Sequence, residues 1–326
     1  MTFNIRFEND RDGPNSWVYR RGLVVRLIEQ YSPSILGTQE GRWSQLLYLK
    51  DHLTGYKIQA HNRVIDDTCQ YPTLYLKKNE FDVLDEKEFW LSKTPEVHRS
   101  KNWDSAFPRM VSCARLSMGK CVPFWVTVTH LDHMGTEARY EQARLIADWI
   151  RAQNDPVILM GDFNDDPGSP VHQLLTSSET GLRDTWQILG RSENSDSTTH
   201  HDFNGTLQKS RIDWILVSPQ FRVTDASIIK DHFQSRYPSD HFPYMVDLTT
   251  SLSPWSCPLS DSKLIYSDYL QIISLETFVT TFASPLSVLN FPLTMEAKIP
   301  PKHSRVKIIK ATSMLFSKRG YCSGVI

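Results

Sequence analysis

The run Pro156-Val157-Ile158-Leu159-Met160, closed by Gly161-Asp162-Phe163-Asn164-Asp165-Asp166-Pro167, constrains this chain more than any other stretch. An unbroken apolar run of this length fits a buried strand. Its end is abrupt: carboxylates and a carboxamide, then Pro and Gly. Acidic oxygens are thereby presented at the strand's C-terminal edge, where open α/β sheets place their chemistry. Asp and Asn are also ordinary turn formers, so this segment alone leaves a polar turn and an active site equally open.

The same design recurs along the chain. Ser34 to Gln39 forms a short apolar strand that ends at Glu40 and Gly41. Val122 to Leu131 alternates Phe124, Val126, Val128 and His130 on one face, and runs into Asp132-His133. Asp213 sits inside the strand Ile212 to Val217, and Ser239-Asp240-His241 precedes a closing strand, Phe242 to Leu248. Thr2 to Phe7 reads as the first strand and carries Asn4.

Helical spacing appears over Ser16 to Tyr31, with Ser16 placed to cap and Pro33 to stop it, around Leu46, Leu49 and Leu53, and over Glu137 to Gln153. Ser169-Pro170 opens a short helix, because Pro is well placed at a first helical position. Residues 72–91 read as two strands split by a turn near Lys78-Asn79-Glu80, and residues 111–131 as a hairpin. The loop Ser92 to Arg109, with Trp103 and Phe107, is long enough to expect a functional role. Mixed strands and helices with hairpins predict an α/β protein of α+β type, in which two stacked mixed sheets lie between helices.

The pattern holds to about residue 249. Residues 250–326 are Ser- and Pro-rich, then basic, and read as a non-catalytic, partly disordered extension with one apolar patch, Leu264 to Ile273, able to form a helix. A formal net charge of −1 excludes the global basic field of a non-specific nucleic-acid binder. Five cysteines without CxxC spacing fit reduced thiols, and neither a signal peptide nor a membrane span is visible. A soluble cytoplasmic or otherwise intracellular monomer is expected.

Taken singly, Glu40 fits a solvated turn and His130 a satisfied core histidine. Asp213 does not dissolve so easily: a carboxylate between Ile212 and Trp214 needs a partner, because an unpaired buried charge is costly. His241 is the candidate, its tautomer fixed by that aspartate. If the strand ends meet at one rim, Asn4, Glu40, His130, Asp162, Asn164, Asp213, Asp240 and His241 form a set of hard oxygens and imidazoles. Such oxygens select Mg²⁺ or Mn²⁺ over Zn²⁺, and a metal-loaded acidic rim suits phosphate-ester hydrolysis.

The ordered motifs TFNIRF, GTQEG, THLDH, GDFND, RIDWI and SDHFPY span residues 2–248, and this stretch resembles the endonuclease/exonuclease/phosphatase superfamily. FWLSKTP and the segment Trp103 to Arg109 resemble a microbial and fungal subgroup similar to deadenylase-type 3'-5' exonucleases. The resemblance implies a four-layer α/β/β/α sandwich of deoxyribonuclease type. It implies Glu40 as principal Mg²⁺ ligand with Asn4 beside it and Asp240 contributing, and Asp162 as the group that aligns or deprotonates the attacking water. Asn164 would hold that water or a phosphate oxygen, His241 oriented by Asp213 would contact the phosphate, and His130 would lie near the leaving group. Arg109, His133, Arg139 and His201 match subgroup patterns and are implied as substrate contacts, and Trp103 and Phe107 are aromatics on which bases could stack. Relatives commonly carry Glu where this chain has Gln70, a departure near the substrate.

The activity expected is a Mg²⁺-dependent, nuclease-type phosphodiesterase acting on single-stranded nucleic acid or a nucleotide. A small-molecule phosphatase or a lipid phosphodiesterase is the alternative, and a non-catalytic binding protein on the same fold the remote one.

Overall fold

The computed structural model describes residues 1–60, 63–119, 121–208 and 210–250. The expected C-terminal extension, with its helix over 264–273, lies outside the described residues. The elements run β1 (Thr2–Asn4), α1 (Trp17–Tyr31), β2 (Ile35–Gly41), α2 (Trp43–His52), β3 (Tyr56–Gln59), β4 (Tyr71–Lys77), β5 (Asp82–Trp90), β6 (Met110–Ser117) and β7 (Phe124–His130). They continue with α3 (Thr136–Arg151), β8 (Val157–Asp162), α4 (Pro170–Leu175), β9 (Arg183–Asp184), α5 (Thr185–Ile188), β10 (Asp213–Val217), β11 (Phe221–Ile228) and β12 (Tyr244–Thr250).

The strands form two six-stranded mixed sheets, ordered β11-β12-β1-β2-β4-β3 and β5-β6-β7-β8-β10-β9. Among the described residues, only β1–β2 and β7–β8 pair in parallel. The two strands expected over residues 72–91 exist, yet they are not a hairpin. The turn between them carries the chain from one sheet to the other.

Three apolar cores show why four layers form. Alternation sorts the side chains: along β8, Ile158 and Met160 join the core between the sheets, whereas Val157 and Leu159 join the core with α3 residues Ile146 and Ile150. Residues Ile215 and Val217 of β10 follow the first pattern, Trp214 and Leu216 the second. On the other sheet, Phe3 and Leu36 pack with Val24, Leu27 and Ile28 of α1 and with Leu46 and Leu49 of α2. A Cβ at Gly37 would lie 2.7 Å from the Met160 sulfur of the facing sheet, so glycine sets how closely the sheets approach. As expected, Ser169 caps α4, its Oγ accepting from the His172 N–H at 3.2 Å. Ser16 precedes α1 without making a side-chain cap.

Candidate active site

The period of two places the chemistry. His130, Asp162 and Asp213 share the parity of the inter-sheet residues on their strands, and each ends or begins its strand at the same rim. Register then aligns them: Asp162 pairs with His130 on one side and with Asp213 on the other. Gly161 is needed there, because a Cβ would come within 2.2 Å of the Thr129 carbonyl oxygen. The facing sheet contributes Asn4 at the end of β1.

Glu40 has the wrong parity for this face. Its left-handed backbone (φ 65°) and the register irregularity between β2 and β4 at Thr38–Gly41 re-aim it into the same pocket. Its carboxylate accepts from the Phe7 N–H at 3.0 Å and from Asn4 Nδ2 at 3.2 Å.

Asp162 is the hub. Oδ2 accepts from Asn4 Nδ2 at 2.9 Å and stands 3.5 Å from His130 Nε2 and 3.7 Å from His241 Nε2. Oδ1 accepts from the Asn164 N–H at 3.0 Å. Burial, then Asp213, push its carboxyl above the usual range, against the pull of His241 and Asn4. Asn164, itself left-handed (φ 52°), donates through Nδ2 to His130 Nε2 at 2.9 Å and to the Leu131 carbonyl.

His241 lies 2.8 Å from Asp213 Oδ2 through Nδ1. Burial alone would lower its pKa, but Asp213, with Asp162 and Asp240 behind it, raises it to about 10, so the ring is an imidazolium at neutral pH. Asp240 moves the other way: although burial alone would raise it, His241, Arg6 and His200 hold its carboxyl below the usual range.

The cavity between these groups encloses about 350 Å³. Glu40, Asp162, Asn164, His130, Asp240, His241, Arg109 and His133 line it, as do Gln70 and Phe107. Asn4 reaches it through its hydrogen bonds, and Asp213 supports it from behind His241. The other three expected contacts stand outside the lining. Arg139 pairs with Asp165 at 3.3 Å and the Asp132 carbonyl. The His201 ring is buried on Phe242, 3.9 Å between centroids, and Trp103 lies 5.9 Å from the Lys93 ammonium.

Sequence reasoning missed Arg6, Phe7 and His200. The His200 signal was present in the pair His200-His201. His200 bridges His241 as a strand would, while the His201 N–H donates to the Asp240 carbonyl, so the two neighbours point to opposite sides.

The carboxylate oxygens of the site, rather than the protonated His241 ring, suit a hard divalent cation. Among the described residues, Asp162, Asp213 and His241 have ligand atoms within 4.8 Å of one another, as do His200, Asp240 and His241, and Asp213 Oδ1 is buried without a hydrogen-bond partner. Glu40 belongs to neither group and is joined to Asp162 through the Asn4 amide.

The family model for the endonuclease/exonuclease/phosphatase family matches residues 1–241. The chain belongs to this family. Members of the endonuclease/exonuclease/phosphatase family are phosphoester hydrolases that generally use a divalent metal, and this chain is an enzyme of that class. Among solved structures, a mannosyl-6-phosphatase from Bacteroides thetaiotaomicron is similar at 29% identity, with a TM-score of 0.67 over 76% of this chain and 97% of that one. A protein of unknown function from Enterococcus faecalis is similar at 27% identity, with a TM-score of 0.69 over 76% and 98%. The human Nocturnin catalytic domain, at 22% identity and a TM-score of 0.57 over 76% and 91%, shares the fold. No curated protein gave a match. No helix among the described residues is long and apolar enough to cross a membrane.

Proposed function

We propose that residues 1–249 form a metal-dependent phosphoesterase that cleaves small phosphate esters by in-line attack of water. The observation that carries this reading is the Asp162 carboxylate, raised in pKa and held between Asn4, His130 and His241 at the floor of one cavity. A carboxylate with a raised pKa, fixed by two amides, suits the alignment and deprotonation of a water. Asn164 holds that water or a phosphoryl oxygen. The His241 imidazolium, oriented by Asp213, places positive charge where the pentavalent phosphorus gains negative charge. His130, fixed by Asn164, lies beside the leaving group.

Glu40 and Asp240 would hold Mg²⁺, or Mn²⁺ in its place, with Asn4 alongside. When bound, the cation supplies neutralisation of charge on the phosphoryl and leaving oxygens. Arg109 contributes a cation from the cavity lining, where it stands 3.7 Å from Asp132 and 3.3 Å from His133.

A small ester is favoured over extended nucleic acid by the modest volume of the cavity, about 350 Å³, and by the net charge of −1. The likeness to a mannosyl-6-phosphatase points the same way. The nuclease-type 3'-5' exonuclease reading keeps one supporting observation, the half-exposed Phe107 ring stacked on His133 at the cavity mouth, a platform for a base. The deciding experiment measures phosphate or nucleotide release with Mg²⁺ from hexose phosphates, nucleotides, poly(A), single-stranded DNA and sphingomyelin. Release from sugar phosphates supports the small-ester reading, release from the polymers alone replaces it with the nuclease reading, and release from none refutes both.

A further inference from the structure

Among the described residues, eleven non-glycine positions have left-handed backbone, and three of them, Arg6, Glu40 and Asn164, line the one cavity that holds the catalytic groups. Such strain persists where the surroundings over-determine it, and it gathers at functional sites. Two of the three have roles above. Arg6 does not.

Its backbone (φ 54°) is pinned from several directions. The Arg6 N–H donates to Asn4 Oδ1 at 2.9 Å, and its carbonyl accepts from Gln45 Nε2 at 3.0 Å and from Arg20 Nη2 at 2.6 Å. The guanidinium is fixed as well. Nε and Nη2 each donate to Asp12 at 3.0 Å, and the Phe7 ring lies 4.6 Å from Cζ. Asn9 Nδ2 donates to Asp12 Oδ1 at 2.9 Å and holds that carboxylate in turn. The remaining nitrogen, Nη1, stands 3.6 Å from Asp240 Oδ2, beyond hydrogen-bond length. An arginine pre-set in this way presents one N–H fork edge with little entropy left to lose on binding.

Resting on the phosphoesterase reading, we propose that Arg6 is a specificity-determining residue. Its Nη1 binds the terminal anionic oxygen that a phosphomonoester has and a phosphodiester lacks, so the site selects monoesters. A monoester carries close to two negative charges at neutral pH. In a cavity lined by Glu40, Asp162 and Asp240, that extra charge requires a dedicated cation. Arg109 lines the same cavity beside Asp132 and His133, whereas the Arg6 guanidinium is the one that stands against Asp240.

The test compares p-nitrophenyl phosphate with bis(p-nitrophenyl) phosphate, which share a leaving group, in the parent and in Arg6→Ala, Arg6→Lys and Asp12→Asn, with Mg²⁺ present. The expected result is a fall of about tenfold or more in the monoester-to-diester ratio of kcat/KM for Arg6→Ala, the size of one lost charge-assisted hydrogen bond. Added guanidinium restores part of the monoester rate, and Arg6→Lys is intermediate. Should Arg6→Ala fail to fold by circular dichroism, Asp12→Asn, which keeps the arginine but unpins it, lowers the same ratio.

An unchanged ratio, or equal losses on both substrates without guanidinium rescue, overturns the inference and leaves the phosphoesterase reading standing. A parent that cleaves only the diester does the same. Cleavage of neither substrate by the parent, across the whole panel of esters, overturns both.

Discussion

His241 and Asp213 meet at 2.8 Å through Nδ1 and Oδ2, and the opposite ring nitrogen of His241 looks at Asp162 from 3.7 Å. One aspartate therefore fixes the tautomer and charge of the imidazole, while the other occupies the reaction space it faces.

In metal-free protein, an NMR titration of the His241 ring is expected to give a pKa of about 10, well above an ordinary histidine. Asp213→Asn brings it down towards about 6.5 and lowers the hydrolysis rate by about 10²- to 10⁴-fold. The raised pKa also has a stability sign. The folded state binds this proton more tightly than the unfolded state, so the contribution is complete below about pH 6.5 and is lost as pH rises through about 10. Denaturant midpoints of Asp213→Asn show a weaker alkaline decline. A parent ring that titrates at an ordinary histidine value contradicts this pairing.

Asp162→Ala loses at least about 10²-fold in rate while its circular dichroism stays that of the parent. The carboxylate is buried at the rim rather than within an apolar core, and Asp213, its neighbour in register, is relieved of like-charge repulsion. Folded Asp162→Ala with the parent's rate refutes the assignment.

Millimolar Mg²⁺ raises the thermal midpoint of the parent, because a ligand that binds only the folded state stabilises it by mass action. Glu40→Gln diminishes that shift and leaves the metal-free midpoint within about 4 °C of the parent's. Equal Mg²⁺ shifts in parent and variant show that Glu40 does not hold the ion.

His201 supplies the acid side. Buried on Phe242, its pKa is lowered to about 4, chiefly by burial and then by His241. The unfolded chain takes up this proton first, so stability falls as pH drops from about 6.5 to about 4, by about 3 kcal/mol in all. His201→Asn flattens the pH dependence of the urea midpoint over that interval. An unaltered slope assigns the acid loss to other groups.

Asp184 is a structural counterpart. Buried, it accepts from Arg211 Nη2 at 2.8 Å, lies 2.9 Å from His172 Nε2, and caps α5 through the Trp186 N–H. Burial alone would raise its pKa, yet His172 and Arg211 hold it below the usual range. Asp184→Ala leaves Arg211 with Glu193 as its remaining carboxylate partner, removes the partner of His172 and the α5 cap, and costs about 1 to 3 kcal/mol by chemical denaturation. A loss under about 1 kcal/mol would show that water replaces the carboxylate.

The strand-end groups were legible because a period of two carries the face of Ile158 and Met160 through to Asp162, and that of Ile215 and Val217 back to Asp213. The stacking of two sheets followed from mixed patterning. What stayed hidden depends on backbone irregularity. No periodicity reports that Glu40 and Arg6 turn left-handed, and only the bridge to His241 tells His200 from His201. Nor does a turn at residues 78–81 announce that its flanking strands part company into different sheets.

The sheet order also bears on synthesis. β1, the first strand described, lies between β2 and β12, the last, and His241 sits just before β12. A nascent chain that has emerged only to residue 220 holds Asn4, Glu40, His130, Asp162 and Asp213, but neither the neighbour that completes β1 nor the imidazolium. Domains generally fold as units once their sequence is available. On the proposed assignment, hydrolytic power is thus withheld on the ribosome until nearly all of this domain has been translated, and partial products carry the candidate metal-holding groups without His241.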